Sequence, residues 1–388
     1  MFNKYLIKTS LLILPLQILF CSTSGVKKEF RAAAREIPKK EAAYLAQESL
    51  FLGGKTDTLT NPDLLRLAGN PTYIQYKKSI EEYWSDYNKN IFIPVNEWRK
   101  ANVPEADSDT VLYSFSGPDF PNAYALFPDA NVYILMGLEL SGLDPDLANM
   151  EEKDLEHGLA SLSRGLVTIS KFNFFRTLGM IRDISGSSLQ GTTPVFLTYF
   201  GLLGLEPLSI RYFLLDEEGR QLFYTKADLS HKKIDKNINV EIFFRDERGD
   251  IKKLVFLSGD ISDEGIKSNP GGYKYLSNLG PVVSTMKAAS YLVHLDKYSK
   301  IKKVLLDKSE FFVMDDTGPR ISDLEKNWDI KVFGKYTKPI PLFKNKFQKK
   351  LVDLHTSQKP EKIKFRYGYG TYDGNQHLMI ITRKKKVE

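Results

Sequence analysis

Residues 109–139 read DTVLYSFSGPDFPNAYALFPDANVYILMGLE and contain two strand patterns joined by a loop-rich connection. In the first pattern, β-branched and aromatic side chains recur with period two at Val111, Tyr113 and Phe115, as they do in β-strands. A Gly-Pro pair then ends the strand. Residues 132–136, VYILM, are apolar at every position, which predicts a central strand that is covered on both faces.

The connection over residues 116–130 is long enough for a crossover between parallel strands. Asp119 lies in this connection, and two roles fit it. Its carboxylate can cap a short helix that runs to Phe127 and has Pro121 near its start, because side-chain oxygens accept hydrogen bonds from the first helical amides. Alternatively, Asp119 lies outside the carboxyl end of the first strand, where open α/β sheets often bind ligands.

The same stretch carries a resemblance. Its sequence Y-S-F-S-G-P-D-F, followed by F-P, Y-I-L and G-L-E, resembles a family of uncharacterised bacterial lipoproteins and secreted proteins of the spirochaete type. The later tetrapeptide Asp315-Asp316-Thr317-Gly318 is part of this resemblance. It implies an exported protein and no particular activity.

Composition limits the classes of protein that fit. The chain has 388 residues, 42% of them hydrophobic and 12% aromatic, which is enough to form a large core in one or two domains. Its 55 basic and 48 acidic residues give a net charge of +7, and no nucleic-acid-binding motif accompanies them, so we expect no nucleic-acid partner. The five histidines form no HxH or HExxH pair, and we predict neither a metal site nor a cofactor.

The N-terminus has the pattern of a signal peptide, which we assign to residues 1–20. Lys4 and Lys8 precede an apolar run at residues 11–20 that is too short to span a bilayer. This pattern indicates export from the cytoplasm.

Cys21, the only cysteine, follows this run and precedes small polar residues. The arrangement resembles the lipobox of bacterial lipoproteins, although that family normally has Gly, Ala or Ser where this chain has Phe20. The resemblance implies acylation of Cys21, with membrane lipid as the partner and a bacterial cell envelope as the location, at the outer membrane or the periplasmic face. An ordinary cleaved signal followed by an incidental cysteine is the alternative.

Residues 21–60 are rich in Ala, Lys and Glu, and we interpret them as a lipidated tether with helices at 30–36 and 41–52. Because the tether contains few large apolar runs, we expect the chain to fold cooperatively without residues 1–59. A globular region then extends over residues 61–388, as one domain or as two closely packed subdomains that span 61–207 and 208–388.

Patterns along the globular region predict an α+β fold in which flanking helices cover a mixed, largely antiparallel sheet. The predicted helices include an aromatic stripe at 70–87, then 151–175, 174–184, 193–203, 284–295, 298–306 and 343–354. The predicted strands beyond the opening stretch are a meander at 209–215, 221–225, 240–244 and 251–257, then 311–314, 328–336 and a hairpin of 362–367 with 377–382. An exposed loop is predicted at 259–272.

Candidate site residues lie at two polar turns that follow apolar strands. Ser116 and Asp119 belong to the first turn, and Asp315, Asp316 and Arg320 belong to the second. Adjacent carboxylates can hold a cation or act as acid and base, and they also cap turns.

Two further candidates, Lys287 and His294, lie on the predicted helix before the second strand. Ser284 and Lys287 form an SxxK tetrad as in penicillin-binding proteins, but the partner motifs of that family are missing, and we reject the tetrad.

Two classes of function remain. The first is an envelope lipoprotein that binds a small-molecule or protein ligand of unknown identity, or that supports the envelope. The alternative is an envelope hydrolase that uses carboxylates with His or Lys in a cleft. Carboxylates and a histidine that converge in one pocket favour the enzyme, and their dispersal on turns favours the binding protein.

Overall fold

A ten-stranded mixed sheet organises the chain. The computed structural model describes residues 39–172, 189–232, 238–288, 291–369 and 375–385. The strands are β1 Thr110–Tyr113, β2 Val132–Gly137, β3 Glu206–Leu215, β4 Gln221–Tyr224, β5 Asn239–Arg245, β6 Ile251–Ser258, β7 Val282–Met286, β8 Ser309–Met314, β9 Trp328–Gly334 and β10 His377–Arg383.

The order of these strands in the sheet is β4-β3-β5-β6-β2-β1-β7-β8-β10-β9. Its centre, β6-β2-β1-β7-β8, is entirely parallel, and the pairings toward both edges are antiparallel. The predicted α+β class with a mixed sheet is confirmed, and so are the central position of β2 and the parallel crossover from β1.

Helices cover both faces of the sheet. Those of the described residues are α1 Lys39–Leu52, α2 Pro62–Ala68, α3 Pro71–Tyr87, α4 Ile93–Asn102, α5 Phe120–Leu126, α6 Glu152–Phe172, α7 Thr193–Leu203, α8 Lys226–Lys232, α9 Asp263–Ser268, α10 Gly271–Ser277, α11 Ser299–Lys308, α12 Ile321–Leu324 and α13 Lys349–Gln358. The helix predicted at 174–184 lies outside the described residues.

The core has two main parts, one on each face. Alternate residues of β2 point to opposite faces. Tyr133 belongs to the part that also contains side chains of α1, α3 and α7, whereas Ile134 belongs to the part that contains side chains of α10, α11 and α13. The aromatic stripe of α3 belongs to the first part, and its tyrosines are buried as predicted. Both faces are therefore covered, as a parallel central block requires.

Helix α1 is part of the first core, although it lies within the expected tether. The Ser49 hydroxyl donates to the Leu197 carbonyl of α7 at 2.8 Å, and the Tyr73 hydroxyl donates to the Phe51 carbonyl at 2.8 Å. A Cβ atom placed on Gly53 would lie 2.8 Å from the backbone of Gly201, so the backbone after α1 lies directly against the backbone of α7. The globular fold thus includes Lys39–Leu52.

Four local predictions are wrong. The antiparallel strands do not form a meander, because β3 lies between β4 and β5. The loop expected at 259–272 contains α9 and α10, and the Ser262 hydroxyl caps α9 by accepting from Gly265 N. The helix expected at 284–295 begins as strand β7, and the C-terminal hairpin is replaced by β10, which inserts between β8 and β9.

No helix within the described ranges has the length and apolar content needed to cross a membrane.

Candidate functional site

The carboxyl ends of β1, β7 and β8 meet where the order of strands along the chain reverses its direction across the sheet. From β1 the chain runs to β2 on one side, and from β7 it runs to β8 on the other, so the carboxyl ends of the neighbouring strands β1 and β7 form a topological switch point. Asp119 follows β1, Lys287 follows β7, and Asp315 and Asp316 follow β8. The structure therefore brings four of the predicted site residues together, and all four are at most 3% exposed.

Asp119 and Lys287 form a buried ion pair with 2.8 Å between Oδ2 and Nζ. The Tyr113 hydroxyl also donates to Asp119 Oδ2, at 2.8 Å. Asp119 occupies the N-cap position of α5, as the cap hypothesis expects, but its side chain makes no capping hydrogen bond of normal geometry, and the backbone amide of Asn122 only acts to lower its pKa. Burial raises the pKa of Asp119, and the ammonium of Lys287 acts in the opposite direction.

Four buried polar atoms around this pair make no hydrogen bond of normal geometry in the structure. They are Asp119 Oδ1, Asn122 Nδ2, Thr285 Oγ1 and the Tyr367 hydroxyl. The Tyr367 ring also faces Lys287, whose Nζ lies 5.8 Å from the ring centroid. Burial raises the pKa of Tyr367, whereas hydrogen bonds from the side chains of Thr285 and Asn122 act to lower it, so these three side chains lie next to one another. The members of this buried polar cluster can therefore serve as partners for one another, beside the carboxylate of Asp119.

Asp315 lies on the other side of β7. Its Oδ2 accepts from Ala288 N at 2.8 Å, and its Oδ1 accepts from Thr317 N at 3.0 Å and from the Thr317 hydroxyl at 2.5 Å. Gly368 leaves room for this carboxylate, since a Cβ there would overlap Oδ2. Burial and the charge of Asp316 raise the pKa of Asp315 to about 6. A carboxyl group with such a pKa can hold or release a proton near neutral pH.

Asp316 pairs with His377, which the sequence did not single out. His377 Nε2 lies 3.0 Å from Asp316 Oδ1 and 3.1 Å from Asp316 N, while Nδ1–H donates to the Asn375 carbonyl at 2.8 Å. The ring therefore has partners whether Nε2 carries a proton or not. Burial acts to lower the pKa of His377, but Asp316 and Asp315 outweigh it and raise that pKa. The Tyr291 hydroxyl donates to Asp316 Oδ2 at 2.9 Å.

His294 and Arg320 lie beside this group without contacting the carboxylates. His294 Nε2–H donates to the Gly318 carbonyl at 2.7 Å, and Arg320 donates to the His294 carbonyl at 2.9 Å. Burial lowers the pKa of His294 to about 4, so the ring is neutral at pH 7. Arg320 is exposed, which places it at the rim.

The serines of this region have structural roles. The Ser116 hydroxyl donates to the carbonyls of Gly117 and Met136, which ties the loop after β1 to β2. Ser284 lies inside β7, where its hydroxyl bonds that of Ser309 at 2.7 Å. Because side chains three residues apart point to opposite faces of a strand, Ser284 and Lys287 are separated, and the rejection of the SxxK tetrad agrees with this geometry.

Backbone strain concentrates at the same strand ends. Within the described ranges, four residues other than glycine have a left-handed conformation, and three of them are Phe115 (φ 57°), Ala288 (φ 51°) and Tyr291 (φ 56°). Phe115 follows β1, while Ala288 and Tyr291 follow β7. Such residues cost free energy of order 1–3 kcal/mol each and are found mainly where function requires a particular backbone path.

Glu139 is a further acidic residue that the sequence analysis missed as a site candidate. It follows the carboxyl end of β2 and is 1% exposed. Its carboxylate lies against Gly117 and Gly137, and a Cβ on Gly137 would overlap it. The sequence feature that could have identified Glu139 is its position two residues beyond an apolar central strand, where parallel sheets place ligand-binding residues.

No group of three or more His, Cys, Asp or Glu side chains in the described part of the chain could hold a metal ion. Comparisons with protein-family models, with curated proteins and with solved structures found no match to this chain. The chemistry of the site must therefore be argued from its own residues.

Proposed function

We propose that this protein is a lipid-anchored envelope protein whose globular region binds a small polar ligand at the carboxyl ends of β1 and β7. The observation that carries this proposal is the buried Asp119–Lys287 pair at a topological switch point, the position where open parallel sheets bind ligands.

Stability alone is a weak explanation for this pair. Removing two charges from water costs several kcal/mol per ion, and replacing a buried pair by apolar side chains is often neutral or stabilising. The buried polar side chains of Asn122, Thr285 and Tyr367 beside the pair make no hydrogen bonds of normal geometry, which adds to the cost. Groups that are expensive for folding and that cluster beside strained backbone are typical of a binding or catalytic site.

The hydrolase alternative has one observation in its favour, the convergence of carboxylates with raised pKa values. Asp119 and Asp315 both show this shift, and Asp316 with His377 provides a group that can accept a proton. Against it, the serines nearest the strand ends, Ser116 and Ser284, bond to carbonyls or to another serine and contact no base. The binding proposal therefore fits the geometry better.

A ligand screen by thermal shift tests the binding proposal. The probes are nucleosides and nucleotides, amino acids, monosaccharides and small carboxylic acids, each added at millimolar concentration to the full chain in detergent. A probe at about one hundred times its Kd should stabilise the protein by about 2.7 kcal/mol and raise the melting temperature. The same probe should not shift an Asp119→Asn variant. If every probe leaves the parent unchanged, the proposal of a small polar ligand is wrong.

The anchor is tested separately, because it depends on Cys21 alone. Stable membrane attachment needs two or more acyl chains, and acylation of a lipoprotein cysteine would supply them. Metabolic labelling with a fatty acid should label the parent, and the parent should sediment with membranes. A Cys21→Ser variant should lose both properties. Label in the variant, or no label in the parent, would contradict the anchor.

A further inference from the structure

We infer that the ligand is a nucleoside with a free 2′,3′-diol and without a phosphate, and that Glu139 accepts hydrogen bonds from the diol. This inference rests on the proposed binding site at the switch point. It specifies the class of ligand, which the proposed function leaves open.

The strand order is the first argument. Numbered by their own order along the chain, the parallel strands β6-β2-β1-β7-β8 have the order 3-2-1-4-5. This is the order of the first five strands of the doubly wound fold that binds nucleotides across its switch point. Fold alone does not establish a ligand, so the residues at the strand ends must match as well.

Glu139 occupies the matching position. In that fold, an acidic residue about 20 residues beyond the glycine turn after β1 accepts hydrogen bonds from a ribose hydroxyl. Here Gly117, with φ 52°, forms the turn after β1, and Glu139 follows β2 at this separation. A Cβ on Gly117 would lie only 3.3 Å from Glu139 Oε1, so the carboxylate lies directly over the turn. A diol placed between the two strand ends would meet this carboxylate.

The loop after β1 argues against a phosphate. Nucleotide-binding turns place several glycine amides and a helix N-terminus near the phosphates. This loop instead has Pro118, which has no N–H group, and then Asp119, whose carboxylate already neutralises the ammonium of Lys287, so that this cation is not free to bind a phosphate. Asp119 Oδ1 is a buried acceptor with no hydrogen bond of normal geometry, and it suits a neutral or cationic substituent at the 5′ position.

The surface next to Glu139 suits a base. Leu138 is 49% exposed and Leu140 is 44% exposed, on either side of the buried carboxylate. Nucleobases are flat and largely apolar on their faces, and side chains of this kind commonly contact them. The ribose would then lie at Glu139, with the base at the leucines and the 5′ substituent toward Asp119.

Isothermal titration calorimetry on the full chain in detergent tests this arrangement. The probes are adenosine, 2′,3′-dideoxyadenosine, S-adenosylmethionine, ATP and NAD. Adenosine or the cationic S-adenosylmethionine should bind, and ATP and NAD should bind more weakly than adenosine. The dideoxy compound should bind about ten- to one-hundredfold more weakly, because it loses hydrogen bonds to a charged group. This comparison needs no variant.

The Glu139→Gln variant should bind adenosine more weakly than the parent by a similar factor, and it should bind the dideoxy compound as tightly as the parent does. Glu48→Gln is the matched control, since Glu48 is also a fully buried glutamate, but lies on α1, and burial raises its pKa. It should bind adenosine like the parent. Equal binding of adenosine and its dideoxy analogue, stronger binding of ATP or NAD, or no nucleoside binding would overturn the inference. If no nucleoside binds but another class of probe from the screen binds in a way that depends on Asp119, the nucleoside inference is wrong and the proposed function stands.

Discussion

Replacing Lys287 by methionine is expected to lower the free energy of unfolding by about 3–5 kcal/mol, because the change leaves the Asp119 carboxylate buried without its cation. Equilibrium unfolding in urea, followed by fluorescence, measures the loss. An unpaired buried carboxylate responds by taking up a proton. Since Lys287 acts to lower the pKa of Asp119, its removal should raise that pKa further.

The loss should therefore depend on pH. A carboxylate whose pKa is higher in the folded than in the unfolded state binds its proton more tightly when folded. Such a group contributes stability at acid pH that is lost as the pH rises through its folded-state pKa. The penalty of Lys287→Met should thus be larger at pH 8 than at pH 5. A penalty that does not change between pH 5 and pH 8 would show that Asp119 takes up no proton in the variant.

Two controls distinguish the loss of the ion pair from a nonspecific loss of stability. Lys303→Met removes a cation from the exposed pair with Asp307 and should leave the melting temperature unchanged. The double variant Asp119→Asn/Lys287→Met removes both charges and keeps an acceptor for the Tyr113 hydroxyl. It should recover most of the lost stability, because the uncompensated charge is gone.

Deletion of residues 1–59 is expected to abolish cooperative unfolding, contrary to the expectation from composition. Helix α1 buries Leu45, Phe51 and Leu52, and each such side chain contributes about 1.5–3 kcal/mol. Exposing them together with the surfaces they cover on α3 and α7 approaches the whole stability of a domain, about 5–15 kcal/mol. Differential scanning calorimetry should show no transition, and the chain should aggregate.

The matched control is a deletion of residues 1–38, which keeps α1. This shorter deletion should melt cooperatively at nearly the parent temperature. If the longer deletion melts at the same temperature as the shorter one, α1 is dispensable, and its contacts with Leu197 and Tyr73 contribute little to the fold.

The central strands and the buried helices followed from the sequence because local patterns determine them. An unbroken apolar run identified β2, a period of two identified β1, and an apolar stretch of eleven residues identified α7. Position along the chain also placed Asp119 and Asp315 at strand ends. Their meeting across β7 was then a geometric consequence of parallel pairing.

The remaining features depend on contacts between distant residues. Strand β7 was missed because the Ala-containing segment after it favours a helix, whereas pairing with β1 and β8 favours the extended Val-Val-Ser-Thr segment. His377 is 61 residues from Asp316, and no spacing rule connects them. Asp119 has the sequence context of a helix cap, and only the approach of Lys287 from β7 converts it into half of an ion pair.

We propose that the buried charges at the ends of β1 and β7 serve a ligand and not the fold. The most direct test measures ligand binding by the Asp119→Asn/Lys287→Met double variant, using calorimetry with the probe that stabilises the parent most in the screen. We expect the double variant to unfold at nearly the parent melting temperature. It should bind that probe at least tenfold more weakly than the parent does, because hydrogen bonds to charged groups contribute about 1.5–3 kcal/mol. A variant that is equally stable and binds the probe as tightly as the parent would contradict the account.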